Sequence, residues 1–350
     1  MNNMNHTEQD QQNAISTIIP RKKANVSKLL RTEFFLLVFL LLILLLLFVA
    51  ARGFFSLNNT MSILNTSSYL LISAIGMNLI IIISNIDVST GPLMSVVCIV
   101  IAAIGKLNAN IFVLMPVAIV TGMILSLING LFITKLKVPS IVATLATALL
   151  FSGGLNLVVN GSIYDLPASF TWLGFNAKLF GFLPLSIIIM VVITVIAIIY
   201  MKYSKFSKQI YAVGNSYDAA RLSGINADRV VVICYVIAGG LYGISGTIIA
   251  TASQRVTTTM AGGLLNMTLI AAVALGGTSI SGGSGTILGT VFGILILAII
   301  PPATNYLGIS PNWSDAIMGV IIIISVIVSA TRAVRHKRKK IVHIQVGGES

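Results

Sequence analysis

The stretch "LIIIISNIDVSTGPLMSVVCIV" (residues 79–100) contains two apolar runs of the kind found in membrane segments, and between them lies one carboxylate, Asp87. Such a group is expensive at membrane depth, and it is rare there without a function. The polar residues around it predict a break between two membrane segments. The depth of the break stays open, since Asp87 could lie in a cytoplasmic hairpin between two full spans or nearer the midplane between shortened segments.

The composition of the chain supports a membrane protein. Of its 350 residues, 56% are hydrophobic and 9% are charged, whereas about 25% are charged in a soluble domain. The length corresponds to about ten spans of ~20 residues each. We therefore predict an all-α polytopic membrane protein with about ten transmembrane helices and both termini in the cytoplasm.

The predicted spans follow the apolar runs, because periodicity says little when every helix face is apolar. The run 264–277 is short and carries polar residues, so it is expected to be a broken or half-length element. The predicted spans are residues 34–51, 65–84, 91–105, 111–133, 139–159, 182–201, 230–251, 264–277, 285–304 and 313–331.

The basic residues orient these spans. With the N-terminus inside, 18 of the 22 Lys and Arg fall in cytoplasmic segments, as the positive-inside rule requires. The net charge of +13 is therefore explained by membrane topology, and no nucleic-acid partner is expected. The predicted organisation is a polar tail (1–33), a permease domain (34–331) with its largest cytoplasmic loop (202–229), and a basic tail (332–350).

The loop 202–229 contains a short predicted helix with signals at both ends. Asn215 or Ser216 suits the N-cap, and Asp218 in the first turn complements the helix dipole. Arg221 falls in the last turn, and Gly224 suits the position after the helix, where φ is usually positive. Because two turns do not persist alone, this helix docks either on the protein's own cytoplasmic ends or on a cytoplasmic partner.

Chemical motifs are mostly absent. The glycine-rich segment 282–290 has no lysine, so it is not a phosphate-binding loop of the G-x-x-x-x-G-K-S/T type. The three histidines lie in the polar tails, and Cys98 and Cys234 lie in apolar runs as expected free thiols. We therefore expect no enzymatic activity, no cofactor and no metal site.

A second polar break is predicted in "ALGGTSISGGSGTILGTVFG" (274–293), where glycine, serine and threonine separate apolar segments. Small residues allow close helix approach and broken helices that line a cavity. Two such breaks in the two halves of a chain are typical of a transporter. An importer permease and a secondary carrier or channel share this topology, although the scarcity of buried ionisable groups disfavours the carrier.

Four motifs carry a resemblance to a known family. They are "NIDVSTG" (85–91), "NGLFITKLKVPSIVATL" (129–145), "AVGNSYDAARLSGI" (212–225) and "IAAVALGGTSISGGSG" (270–285). In this order the chain resembles the permease subunits of bacterial ATP-binding cassette (ABC) importers for ribose-type sugars. The resemblance runs over roughly residues 55–330 and implies transport of a small polyhydroxylated ligand across the cytoplasmic (inner) membrane.

Within that family, details resemble the autoinducer-2 import permeases. These are Asn85 in "NIDVS", "LKVPSIVATL" (136–145) and "ISPNWSDAIMGV" (309–320). Permeases for rhamnose- and pentose-type sugars share much of the pattern. One departure is Asn266, which stands where the family usually has an acidic residue, and this affects the expected ligand more than the class.

The resemblance implies several partners. They are two cytoplasmic ATPase subunits, a second permease that is identical or homologous, an extracytoplasmic substrate-binding protein, and membrane lipid. The expected ATPase-coupling residues are Gly214, Asn215, Asp218, Ala219, Ala220, Arg221 and Gly224. The expected residues of the translocation path or gate are Asn85, Asp87, Ser89, Asn266, Thr278 and Ser279.

For Asp87 two interpretations stay open. In the first, Asp87, Ser89 or Thr90 caps the next helix, with Pro92 in its first turn, where a missing N–H costs little. In the second, Asn85 and Asp87 bond ligand hydroxyls in the path or its gate. Both roles can coexist.

Overall fold

The computed structural model describes most of the chain between residues 26 and 327. The described residues are 26–105, 111–159, 164–165, 178–179, 183–253, 255–261, 265–310, 312–321, 323–324 and 327. The basic tail predicted at 332–350 and residues 1–25 of the polar tail predicted at 1–33 lie outside them.

Helices dominate the described residues, and helical residues also occupy 312–321. In chain order the helices are α1 Val26–Ala50, α2 Leu57–Ile82, α3 Thr90–Gly105, α4 Ile111–Lys135, α5 Ser140–Val159, α6 Leu185–Tyr203, α7 Lys205–Asn215, α8 Tyr217–Leu222, α9 Ala227–Ser253, α10 Leu265–Leu275 and α11 Ile287–Tyr306. Nine of the predicted spans therefore overlap these helices, the described residues 312–321 of the tenth are helical, and α10 is as short as the sequence suggests.

Two helices begin earlier than predicted. Helix α2 starts at Leu57 rather than 65, after an N-cap in which the Ser56 side chain accepts from the amide of Asn59. Helix α1 starts at Val26, inside the predicted polar tail. In both helices the first turns contain polar residues, so a prediction from apolar runs places the helix start too late.

Four two-residue strands form two antiparallel pairs. They are β1 Tyr164–Asp165, β2 Lys178–Leu179, β3 Leu183–Pro184 and β4 Arg255–Val256. Strand β1 pairs with β4, and β2 pairs with β3. These short pairs leave the architecture an all-α bundle.

Helix α9 forms the centre of the bundle with α2 and α4. The backbones of α4 and α9 approach closely where glycines face each other, since a Cβ on Gly239 would lie 2.2 Å from the Gly122 carbonyl oxygen. A Cβ on Gly243 would likewise lie 2.3 Å from the carbonyl oxygen of Ala118. Small residues thus allow contact that no larger side chain would permit.

The outer helices carry apolar residues on their exposed faces. Only 17% of the apolar window Glu33–Ala50 of α1 is buried, whereas 89% of the apolar 18-residue window within α2 is buried. Within the described residues, seven helices are long and apolar enough to cross a membrane, and α3 and α10 are shorter apolar helices. An apolar exterior around a polar-containing centre is the arrangement that a bilayer favours.

Candidate functional site

Two irregular segments interrupt the bundle. The first break (residues 83–89) joins α2 to α3, and the second break (276–286) joins α10 to α11. Non-helical backbone within a membrane bundle must find hydrogen-bond partners inside the protein. The partners of each break therefore show what holds it in place.

The backbone of the first break is bonded by hydroxyls at the start of α5. The Ile86 amide donates to Ser140 Oγ at 3.3 Å. The Val88 amide donates to Thr144 Oγ1 at 3.1 Å, and that hydroxyl donates within α5 to the Ser140 carbonyl at 2.8 Å. These bonds hold the backbone of the first break alongside the first turns of α5.

Deeper in the bundle, three side chains form a buried hydrogen-bonded series. Asn129 on α4 donates from Nδ2 to Ser89 Oγ at 2.8 Å, and Thr147 on α5 donates to Asn129 Oδ1 at 2.6 Å. Asn129 lies about 9 Å along the axis from the α4 end at Lys135, and Thr147 about 10 Å from the α5 start. Ser89 therefore lies well inside the bundle, so the first break re-enters it and is not a surface hairpin.

The N-terminus of α3 is capped from another helix. Asn266, in the first turn of α10, accepts from the Gly91 amide at 2.6 Å and donates to the Val88 carbonyl. Pro92 has no N–H to satisfy, so its place in this first turn is as predicted. The expected cap from Asp87, Ser89 or Thr90 is wrong for the Gly91 amide, because that donor finds a partner on α10.

Both the carbonyl oxygen and the NH2 group of the Asn266 side chain form hydrogen bonds in this contact. A carboxylate at the same position would accept from Gly91 but could not donate to Val88 unless it were protonated. The amide is therefore matched to a backbone that presents one donor and one acceptor. This explains physically why asparagine functions at a position where the resemblance leads us to expect an acid.

The second break is bonded to α2 through Asn78. Thr278 Oγ1 donates to Asn78 Oδ1 at 2.9 Å, and Asn78 Nδ2 donates to the Thr286 carbonyl at 3.2 Å. The segment between them closes as a turn in which the Ser279 amide donates to the Ser284 carbonyl at 2.9 Å. Thr278 is buried and Ser279 is half-buried.

Both breaks meet the end of α7 in what we call the triple contact (residues 82–84, 214 and 281–283). Ser84 Oγ lies 2.9 Å from the carbonyls of both Gly214 and Ser281. The Gly283 amide donates to the Ile82 carbonyl at 2.8 Å. A Cβ on Gly214 would lie 1.8 Å from the Ile82 oxygen, so only glycine fits there.

Helix α8 follows directly after the triple contact. Its N-cap is Ser216, whose side chain accepts from the amide of Ala219, and Gly224 after its end has φ +81°. The short helix predicted from the sequence is confirmed, with Ser216 rather than Asn215 as its cap. Asn215 is instead the last residue of α7, a helix that the sequence did not suggest.

The surface of α8 is largely free of intramolecular contact. Ala220 is buried against the bundle, whereas Asp218, Ala219 and Arg221 are exposed. Leu222 is 90% exposed. The outer face of α8 thus presents one large apolar side chain among exposed charged residues.

One ion pair lies next to α8. Lys137 Nζ is 3.1 Å from Asp228 Oδ1, which also accepts from the Tyr217 hydroxyl. The hydrogen bond to Asp228 raises the pKa of Lys137. Burial and the same carboxylate raise the pKa of Tyr217. The group links the α4–α5 connection to α8 and shows that both lie at one end of the bundle.

The predicted path residues fall into two groups. Asp87, Ser89 and Asn266 come together around the start of α3, and Thr278 and Ser279 lie in the second break. Asn85 is half-buried and makes no side-chain hydrogen bond to the described residues. The predicted free thiols are confirmed, because Cys98 and Cys234 are buried and unpaired.

The sequence did not identify several residues that organise the site. They are Asn78, Ser84, Asn129, Thr144, Thr147 and Leu222. For α5 a signal existed, since polar residues at 140, 144 and 147 recur at helical spacing on one face. For Asn78 and Asn129 the sequence offers only a lone amide in an apolar run.

Comparison with known proteins adds independent information. Residues 59–326 match the family described as branched-chain amino acid transport system / permease component. This range contains both breaks and α8. No solved structure matches the chain.

Among curated proteins, the chain is similar to permeases named for sugars. It is 34% identical over 283 residues to the ribose import permease protein RbsC of Escherichia coli (strain K12), covering 79% of this chain and 86% of that protein. It is 31% identical over 310 residues to the galactose/methyl galactoside import permease protein MglC of the same strain, covering 82% and 90%. The RbsC protein of Bacillus subtilis (strain 168) is 31% identical over 261 residues, covering 74% and 81%.

Proposed function

We propose that this chain, which belongs to the branched-chain amino acid transport system / permease component family, couples ATP hydrolysis by partner subunits to the movement of a small polyhydroxylated ligand. The chain is a sugar-type ABC importer permease and a multi-pass protein of the bacterial cytoplasmic membrane. The relatives above are named as permease proteins, and we assign the hydrolysis step to a separate chain.

The observation that carries the proposal is the position of α8 next to the triple contact. Helix α8 exposes Asp218, Arg221 and Leu222, and its capped ends fix it as a rigid turn of helix. Leu222 supplies an apolar contact and its neighbours supply charges, so the surface suits a groove with an apolar floor and a polar rim. We assign this surface to the ATPase subunits, one per permease.

The route from α8 into the membrane is short. Helix α8 follows α7 after one residue, and the last turn of α7 contacts both breaks through Gly214. Because Gly214 leaves no free space, a rigid displacement of α7 displaces the Ile82 and Gly283 backbones with it. This close packing supports coupling through rigid-body movement of α7 and α8 rather than through a flexible loop.

The docking assignment can be tested by co-purification. We expect Leu222→Asp to reduce the amount of ATPase subunit retained on tagged permease, and Leu222→Met to retain it, because methionine keeps the apolar contact. Ser223→Ala is the matched control on the same turn, since this exposed residue bonds only within α8. Full ATPase retention by Leu222→Asp and by Asp218→Lys would contradict the docking surface.

The ligand proposal rests on the chemistry of the two breaks. Ser89, Asn129, Asn266 and Thr278 bond other protein groups in this structure, and their hydroxyls and amides both donate and accept hydrogen bonds, as sugar hydroxyls do. Autoinducer-2, pentoses and deoxyhexoses all fit this requirement. We favour autoinducer-2 or a sugar of this size, delivered by a binding protein to a pair of permeases, because the segments 136–145 and 309–320 resemble those of autoinducer-2 permeases.

Uptake experiments distinguish these ligands. The permease, reconstituted with its ATPase and binding protein in proteoliposomes, should take up one of labelled autoinducer-2, ribose or rhamnose in the presence of ATP. The complex without ATPase subunits serves as the control. Uptake that persists without the ATPase would contradict the importer assignment, whereas ATP-driven uptake of a different sugar would change only the ligand.

A further inference from the structure

Asp87 is the buried carboxylate of the first break, and only one of its two oxygens accepts hydrogen bonds from the described residues. Its side chain is 0% exposed. Oδ1 accepts from the Ser89 amide at 2.8 Å and from Ser89 Oγ at 2.6 Å. Oδ2 has no hydrogen-bond partner among the described residues, although it is equally buried.

The elements around Asp87 present neutral groups to it. Its hydrogen bonds come from Ser89, and no described cation forms an ion pair with it. The charged side chains of the surrounding helices lie near the α8 end: Lys135, Lys137, Asp228 and Arg229. The titratable side chains deeper in α3 and α9 are Cys98, Cys234, Tyr235 and Tyr242.

Two further buried groups, on α9, also lack partners. Tyr235 and Tyr242 are both 0% exposed, and neither hydroxyl has a hydrogen-bond partner in the described part of the chain. Seven positions separate them, so they lie on one face of α9.

An ionised carboxylate in this place would be unstable. Burying an ion without a partner costs several kcal/mol even after relaxation, and such groups become neutral instead. A neutral carboxylic acid has one O–H donor and keeps an oxygen that accepts. A proton on Oδ2 therefore removes the buried charge and leaves Oδ1 to accept both bonds from Ser89.

We propose that Asp87 is a proton-binding site, held as a neutral acid in this conformation with its proton on Oδ2. When the first break opens and water enters, the O–H bond breaks and the proton passes to water. The ionised form then favours the open arrangement, so the opening of the break is linked to proton release. The protonation itself does not depend on the proposed transport role.

Infrared spectroscopy tests this on the full-length permease in lipid nanodiscs. A neutral carboxylic acid has a carbonyl band separate from those of carboxylates, and the chain has only 9 Asp and Glu, so one group is detectable. We expect the wild-type protein to show this band at pH 7 and Asp87→Asn to lose it. Asp218→Asn, at an exposed carboxylate, is the matched control and should leave the band unchanged.

A serine variant tests the position of the proton without removing the carboxyl group. Ser89→Ala should shift the band, because Oδ1 loses the bond from the Ser89 hydroxyl, whereas the exposed Ser223→Ala should not. Absence of the band at pH 7, or a band unaffected by Asp87→Asn, would overturn the proposal. A band that does not shift in Ser89→Ala would overturn the assignment of the proton to Oδ2. Failure of sugar uptake would alter none of these spectra.

Discussion

Replacing Gly214 by alanine tests the contact on which the coupling proposal depends. The new Cβ would lie 1.8 Å from the Ile82 carbonyl oxygen and 2.7 Å from the Gly283 amide nitrogen. Contacts below 3.0 Å do not occur for real Cβ atoms, and both neighbours are backbone atoms. Helix α7 must therefore move away from the two breaks.

The expected loss of stability follows from two effects. Inserting a methyl group into a well-packed site costs about 1–3 kcal/mol. Breaking the hydrogen bond from Gly283 to the buried Ile82 carbonyl costs roughly another 1–3 kcal/mol, because both groups stay unpaired. Alanine regains roughly 0.5–1 kcal/mol through its better helix propensity. The net destabilisation should be about 1–5.5 kcal/mol.

The chain contains its own reporter for this measurement. Cys98 and Cys234 are buried free thiols, so a thiol-reactive fluorophore reports unfolding of the detergent-solubilised permease. The matched control is Gly153→Ala on α5, where a Cβ meets nothing within 4 Å. The control should be as stable as the wild type or slightly more stable. If Gly214→Ala behaved like Gly153→Ala, the triple contact would not be close-packed and the proposed route would be wrong.

Two further changes should act at buried positions. We expect Asn266→Ala to destabilise the permease by about 2–4 kcal/mol, because the Gly91 amide and the Val88 carbonyl lose their partner. The same thiol-reactivity assay would measure this loss of stability. Stability equal to that of the wild type would show that water or another group satisfies this backbone. We expect Gly239→Leu to prevent close packing of α4 on α9 and so to abolish the monodisperse gel-filtration peak, whereas an unaltered peak would contradict the glycine contact.

The local features of this protein could be predicted from its sequence. The apolar runs predicted the membrane class, and the short helix found at 217–222 was predicted around 214–224 from Asn215 or Ser216, Asp218 and Gly224. These signals succeed because caps and turns depend on neighbours within a few residues. The half-length of α10 was also visible, since its apolar run is short.

The sequence could not show which polar groups meet inside the bundle. Asn266 and Gly91 are 175 residues apart, and Thr278 and Asn78 are 200 apart. In an apolar helix every face looks alike, so periodicity does not indicate which neighbour a lone amide will face. Only the packing of α4, α5 and α10 around the first break decided that Asn266 caps α3.

Asp87 shows most clearly which features the sequence determines and which the tertiary structure decides. The sequence alone determined that a carboxylate interrupts two apolar segments, because the residue type and its neighbours are local facts. The tertiary structure decided its depth and its surroundings, since α4 brings Asn129 to the adjacent Ser89 from 40 positions away while no described cation pairs with Asp87. The energy of a buried charge depends on what surrounds it in space, and chain order does not specify those surroundings.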